Sequence, residues 1–269
     1  MTSNHTQSVP IVMCFSGLDP TGGAGIQADI ETITSMGAHP APVVTALTVQ
    51  DTQQCLSFTP VDPLLLIQQA RAVLEDMPVN AIKIGMLGSR EVIESIHGIL
   101  SDYPDIPVVL DPIINAGGGG QLSNEDSLNA MRELLFPQTT ILTPNCDEAR
   151  KLAPQADTIT ACAEELQDLG CEYILVTGAH AATTDVVNTL YGNHRELNQY
   201  HWTRLPHQYH GSGCTLASAI AALLAQGLEP ITAIHEAQDF TWQSLEHAYR
   251  TGMGQLIPNR FFWARENNE

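Results

Sequence analysis

The sequence predicts an α/β fold: a mostly parallel central sheet with helices on both faces and a small antiparallel edge. Three observations carry this. Short, near-continuous Val/Ile/Leu runs alternate with amphipathic stretches, the pattern of parallel strands covered on both sides. Groups of Gly, Asp, Asn and Thr recur just after those runs, at residues 16–25, 50–53, 111–120, 143–148, 177–180 and 207–214, where ligands collect in such folds. No Pro/Ser-rich linker, charge block or internal repeat divides the 269 residues. Residues 11–269 therefore read as a single domain behind a polar N-terminal tail, 1–10.

The elements follow in order. Ile11–Gly17 is apolar up to Phe15 and reads as a buried strand. Gly25–Met36 places Ile26, Ile30 and Ile33 on one helical face, and Gly37 stops it at the C′ position. Pro42–Val49 is a second strand and Pro63–Met77 a helix; Ala81–Ile84 is a short strand and Ser89–Leu100 a helix. Pro107–Leu110 is a strand ending at Asp111-Pro112, and Asn124–Leu135 is a helix. Thr139–Leu142 is a strand ending at Thr143-Pro144-Asn145, followed by helical Glu148–Leu152 and Ala161–Leu169. Tyr173–Val176 and Val186–Tyr191 are strands; Gly192-Asn193-His194 turns the second into Glu196–Trp202, an antiparallel edge pair. Helices over Gly213–Gln226 and from Pro230 to about Tyr249 complete the chain.

Composition narrows the function classes. The net charge of −19, from 30 acidic against 11 basic residues, opposes nucleic-acid or anionic-membrane binding, both of which need basic patches. It leaves room for a phosphate held by backbone amides and a metal. No apolar run approaches the ~18 residues of a membrane span, and Met1–Pro10 lacks the apolar centre of a signal peptide. The six cysteines (14, 55, 146, 162, 171 and 214) show neither zinc-ligand nor disulfide-framework spacing, which points to a reducing cytoplasm.

The chemistry concentrates in His210-Gly211-Ser212-Gly213-Cys214-Thr215, directly before the apolar helical run Leu216–Leu224. A small-residue turn opening a helix aims backbone N–H groups and the positive helix end at one spot, which suits a phosphate. Cys214 stands where the turn becomes helix, a position that lowers a thiol's pKa from about 8.5 towards roughly 3.5–7.5. A phosphate cradle beside a proton acceptor is the minimal equipment of a small-molecule kinase; the alternative is a Gly-rich loop that merely starts a buried helix. Ser16–Gly25 is a second glycine-dense loop, fitting neither the dinucleotide fingerprint nor the G-x-x-x-x-G-K-[ST] phosphate loop. Either it lines a small-substrate pocket or it is a tight strand–helix turn.

Taken together, Ser16–Asp29 (SGLDPTGGAGIQAD), Thr45–Gln50, Lys83–Leu87, Val109–Pro112, Thr143–Asn145 with Glu148, and His210–Thr215 resemble the bacterial hydroxymethylpyrimidine/phosphomethylpyrimidine kinases of the ribokinase-like superfamily. The resemblance implies a ribokinase-like fold and ATP-dependent phosphorylation of 4-amino-5-hydroxymethyl-2-methylpyrimidine and its monophosphate in thiamine diphosphate synthesis. It also implies Mg²⁺ and commonly a homodimer. Matched residue by residue, Gly17, Asp29, Gln50 and Met86 fall on the substrate side. Gln50 corresponds to the pyrimidine-recognising glutamine, whose carboxamide offers both donor and acceptor, and Met86 to an apolar contact on the ring. Asn145, Glu148 and Thr177 fall on the nucleotide side. Glu148 and Asp111 are the candidate metal carboxylates, since a hard cation needs only one or two and keeps its waters. Asn145 could equally cap a helix. Cys214, with Gly211, Ser212 and Gly213, matches the catalytic turn; most ribokinase-like enzymes carry an aspartate there, and the cysteine is characteristic of this family.

The pattern also departs from the family. Thr177 stands where relatives usually carry lysine, and the loop 115–120 lacks a basic residue that some relatives place nearby. The run Gly117–Gly120 reads as a mobile flap. The ending Gly254–Phe261 differs from the Gly-Pro type of many relatives and resembles that of a subgroup. Two alternatives stay open: a pyridoxal or pyridoxine kinase, whose substrate is also a flat heteroaromatic with a hydroxymethyl group, and a catalytically weak pyrimidine-binding protein.

Overall fold

The computed structural model describes residues 9–115, 122–178 and 184–264. Among them, nine strands form one sheet: β1 (Ile11–Leu18), β2 (His39–Gln50), β3 (Cys55–Pro60), β4 (Val79–Ile84), β5 (Val108–Leu110), β6 (Ile141–Leu142), β7 (Tyr173–Val176), β8 (Asp185–Gly192) and β9 (Arg195–Thr203). Their spatial order is β3-β2-β1-β4-β5-β6-β7-β8-β9. The strands from β2 to β7 in that order are parallel. β3 and the β8–β9 hairpin add antiparallel edges on opposite sides.

Side chains of successive strand residues alternate between the two faces, and each face has its own helices. Met13 and Phe15 of β1 join a core with α2 (Pro63–Asp76), α3 (Arg90–Asp102), α4 (Glu125–Ala130), α5 (Cys146–Leu152) and α6 (Ile159–Asp168). Val12 and Cys14 join the other core, with α1 (Gly25–Ser35), α7 (Ser212–Ala225) and α8 (Pro230–Glu246). Every residue of α7 from Cys214 to Leu224 is buried, as expected for a helix apolar on all sides. It packs across β1, β4 and β5, so its N-terminus arrives over the middle of the sheet.

The parallel sheet, the two helical layers and the hairpin edge agree with the sequence expectation. Asn193 and His194 take φ of 51° and 53°, the left-handed pair that a two-residue hairpin turn requires. Three details differ. β3 was not anticipated, because a short edge strand with Leu56 exposed to solvent reads as loop. The helix expected over Asn124–Leu135 is α4 followed by a wider π-helical turn, Met131–Leu135. The last helix stops at Glu246 rather than near Tyr249, because Tyr249 instead exchanges backbone hydrogen bonds with Ile257 (3.0 and 2.9 Å). The glycine flap 117–120 lies outside the described residues, as does most of the N-terminal tail. Among the described residues, no helix is long and apolar enough to cross a membrane.

Candidate active site

Because the inner strands are parallel, their carboxyl ends share one edge of the sheet. The chain leaves β1 towards β2 and later returns on its other side with β4, so the β1/β4 gap is a topological switch point, the favoured ligand position. Ser16-Gly17, Gly85-Met86, Asp111, Asn145 and Thr177 end or directly follow the strands on this edge.

The N-terminus of α7 closes the site from above. Gly211 adopts φ 87°, ψ 17°, a left-handed conformation that favours glycine. A Cβ there would sit 2.0 Å from Gly23 O, so the turn and the opening loop are in backbone contact. Gly213 is exposed, and a Cβ on it would lie 3.5 Å from Asp111 Oδ2. The turn thus comes up against the Asp111 carboxylate at Gly213. Cys214 lies just beneath, 6% exposed.

The thiol differs from the sequence expectation. Burial pushes Cys214 up to about 12, opposed by Lys83 and reinforced by Asp111 and Asp29. The helix terminus lowers a thiol only where solvent or a cation outweighs desolvation, and here two carboxylates stand nearby. In the free protein Cys214 is a protonated thiol. Burial also lifts Asp111 to about 6; Lys83 and a hydrogen bond from the thiol pull the other way.

Under this pair lies a sealed polar network. Lys83 Nζ, with no exposure, donates to Asp29 Oδ1 (2.7 Å) and Ser16 Oγ (2.9 Å). Ser218 Oγ donates to the same Asp29 oxygen at 2.7 Å, and Asp29 Oδ2 has no protein partner. Burial acts to lower the Lys83 pKa, but Asp29, Cys214 and Asp111 together hold the ammonium well above its usual range. Gly85 packs against this pair: a Cβ there would come within 2.5 Å of Ser16 Oγ and 2.6 Å of Lys83 Nζ. Sequence reading did not single out Lys83. The available signal was one lysine inside the strand Val79–Ile84, where only a buried counter-charge makes it tolerable.

On the β2 side, Gln50 Nε2 lies 2.7 Å from His210 Nε2, which is also 2.8 Å from Asp19 Oδ2. Asp19 further accepts from Thr21 N, Thr21 Oγ1 and Ala24 N. Although burial opposes it, these bonds hold its carboxyl below the usual range. Gln50 is thereby tied to the opening loop, a link invisible in the sequence. Met86 is 6% exposed and packs on Gly17, whose Cβ would meet Met86 Sδ at 2.9 Å. Thr45 Oγ1 donates to Met86 O and holds that loop to β2.

On the β6–β7 side, Asn145 caps α5: its Oδ1 accepts from Asp147 N and Glu148 N, both at 2.9 Å, and Glu148 Oε2 accepts from Asn145 N at 2.9 Å. Thr177 N donates to Pro144 O (2.9 Å), placing Thr177 beside Asn145. Burial lifts Glu148 to about 8, and the neighbouring Asp111 charge adds to it. The Asp111 charge beside the buried Glu148 carboxyl offers hard oxygen donors of the kind a divalent cation takes.

The chain is similar to known kinases. The profile of the family described as phosphomethylpyrimidine kinase matches residues 19–259. The hydroxymethylpyrimidine/phosphomethylpyrimidine kinase of Haemophilus influenzae is 34% identical over 270 residues, covering 96% of this chain and 99% of that protein. The thiamine biosynthesis bifunctional protein ThiED of Geobacter sulfurreducens is 36% identical over 262 residues, which is 95% of this chain but 53% of that longer protein. Among solved structures, the ADP complex of Bacillus subtilis pyridoxal kinase superposes with TM-score 0.89 at 25% identity, covering 96% of this chain and all of that one. With site motifs, strand order and a profile match over nearly its whole length in agreement, this chain belongs to the phosphomethylpyrimidine kinase family.

Proposed function

We propose that this chain transfers the γ-phosphoryl group of ATP to the hydroxymethyl oxygen of 4-amino-5-hydroxymethyl-2-methylpyrimidine, and then phosphorylates the monophosphate. The observation that carries the reading is the meeting of the Gly211–Cys214 turn with Asp111 at the switch point. In this reading Gln50 pairs with the aminopyrimidine edge, Gly17 leaves room for the ring, and Met86 covers its apolar side. Asp29, expected on the substrate side, is fully buried and instead holds the Lys83 ammonium. Asn145, Glu148 and Thr177 line the ATP phosphates.

The step balances simply. The hydroxymethyl oxygen bonds to the γ-phosphorus as the bond to the departing ADP oxygen breaks. The hydroxyl proton passes to Cys214 when its thiol is ionised and regenerates the neutral thiol, leaving Asp111 ionised. The Gly211, Ser212, Gly213 and Cys214 amides stabilise charge on the transferring group, where a loose transition state needs positioning more than a strong base. Asp111 and Glu148 would hold Mg²⁺, which supplies charge neutralisation to the phosphates when bound.

Exposed Leu18, Leu47 and Val49, close together where β1 and β2 end, support a homodimer. Six free thiols support a reducing, cytoplasmic setting. The likeness to the B. subtilis pyridoxal kinase supports a second reading, in which pyridoxal is the acceptor. ADP release with Mg-ATP, measured side by side with the pyrimidine, its monophosphate and pyridoxal, decides. Turnover with either pyrimidine and little with pyridoxal is expected. Preference for pyridoxal moves the chain to the second reading, and no turnover leaves a binding protein.

A further inference from the structure

The largest fully buried side chain among the described residues belongs to Arg260, 1% exposed, in the C-terminal segment. Its guanidinium reaches three separate parts of the chain. Nη2 donates to Gly23 O at 2.6 Å, Nε to Thr215 Oγ1 at 3.0 Å and Nη1 to Glu31 Oε2 at 3.0 Å. Thr215 Oγ1 passes the connection on, donating to Gly211 O at 2.8 Å. Gly211 itself packs on both partners: a Cβ there would come within 2.0 Å of Gly23 O and 2.9 Å of Arg260 Nη2.

Burying a guanidinium is expensive unless its donors are matched, and an apolar side chain could fill the same space. What an apolar residue could not do is fix the distance between a carbonyl in the opening loop and a hydroxyl in the first turn of α7. The planar fork of arginine holds two or three acceptors at fixed spacing, whereas lysine offers a point charge.

We propose that Arg260 is a positioning residue: it locks the Gly211–Cys214 turn against the Gly22–Gly25 loop, so that the turn's amides stay aimed at the transferring phosphoryl group. This rests on the assignment of that turn as the phosphoryl-holding element. Arg260 touches no reacting atom. It acts through Gly23 O and through Thr215 on the backbone of Gly211. Its segment is docked independently of the guanidinium, by His210 N to Leu256 O (2.8 Å), Leu256 N to Gln208 O (3.0 Å) and Asn259 N to Ser244 O (2.9 Å). Removing the fork therefore loosens the turn without releasing the segment.

The test is steady-state kinetics on the full chain with Mg-ATP and the pyrimidine. Arg260→Lys is expected to lower kcat at least tenfold while both KM values move less than threefold, because only the transition-state geometry is lost. Thr215→Val, which keeps side-chain volume and removes the bridging hydroxyl, is expected to shift the same parameter in the same direction, and carries the test if Arg260→Lys fails to fold. Unchanged kcat in both variants, whatever their Tm, overturns the proposal; so does a loss confined to KM. Gly211→Ala separates the two levels of the argument. If it abolishes turnover while Arg260→Lys and Thr215→Val do not, the lock is wrong and the turn's role stands. If all three retain kcat, the phosphoryl-holding role of the turn fails with it.

Discussion

Lys83 Nζ lies 2.7 Å from Asp29 Oδ1, and neither side chain has any solvent exposure. The pair joins β4 to α1 below Cys214 and Asp111, with Ser16 bonded to the ammonium and Ser218 to the same carboxylate oxygen. Removing one partner of such a pair leaves an uncompensated buried charge, at about 3–5 kcal/mol. Lys83→Met is expected to lose stability on that scale in urea unfolding. Adding Asp29→Asn should recover part of the loss, since the double variant buries no lone charge. Additive losses would mean that the pair is not coupled.

Cys214 is expected to be the unreactive thiol of a reactive-looking position. With its pKa near 12, about one molecule in 10⁴ carries the thiolate at pH 8, and the side chain is also buried. Brief iodoacetamide treatment of the native protein, read by peptide mass spectrometry, should label half-buried Cys55 and Cys146 ahead of Cys214. Cys214 labelled first would restore the depressed thiol that its place at a helix N-terminus predicts.

Thr177 offers a direct test of the charge missing from the nucleotide side. Its backbone is held to Pro144 O, so a longer side chain can replace threonine without moving the strand end. Thr177→Lys is expected to lower KM for ATP by ~3- to 10-fold, which is about 0.7–1.4 kcal/mol. The gain should shrink as salt rises, because an ammonium–phosphate contact near the surface is screened. A gain that is indifferent to salt would point to packing instead of charge.

Strand and helix placement were legible because strand and helix periods differ and because buried parallel strands are largely apolar. Ile11–Gly17 and the run after Cys214 carry that signal unambiguously. The candidate site residues Gln50, Asp111, Asn145 and Cys214 were singled out by their places at the ends of elements and by the family resemblance. The site's electrostatics were not legible. The pKa of Cys214 depends on Lys83, Asp29 and Asp111, brought together only by folding, and no local pattern around residue 214 reports their distance. His210 with Gln50, and Arg260 with Gly23, join residues separated by 160 and 237 positions. An edge strand such as β3 is hidden for a different reason: one side of its ladder is unpaired and its side chains are largely exposed, which weakens the alternation that would mark it.

Glu148 links pH, metal and stability. In the folded protein its carboxyl holds its proton to about pH 8, while an unfolded glutamate releases it near 4.3. Between those values the folded state binds more protons than the unfolded one. Stability contributed by the protonated group is therefore present below about pH 4.3, falls as pH rises, and is fully lost above about 8. Glu148→Gln removes this titration while its Oε1 can still accept from Asn145 N, so the α5 cap survives. The Tm of the variant minus that of the parent should accordingly grow from pH 5 to pH 8, measured by calorimetry without divalent cations. At pH 8, added Mg²⁺ should raise the parent Tm by binding the ionised Asp111–Glu148 pair, with a much smaller effect on Glu148→Gln or Asp111→Asn. A Tm difference that stays flat with pH would show that Glu148 is ionised throughout. An equal Mg²⁺ response in all three proteins would remove these two carboxylates from the metal site.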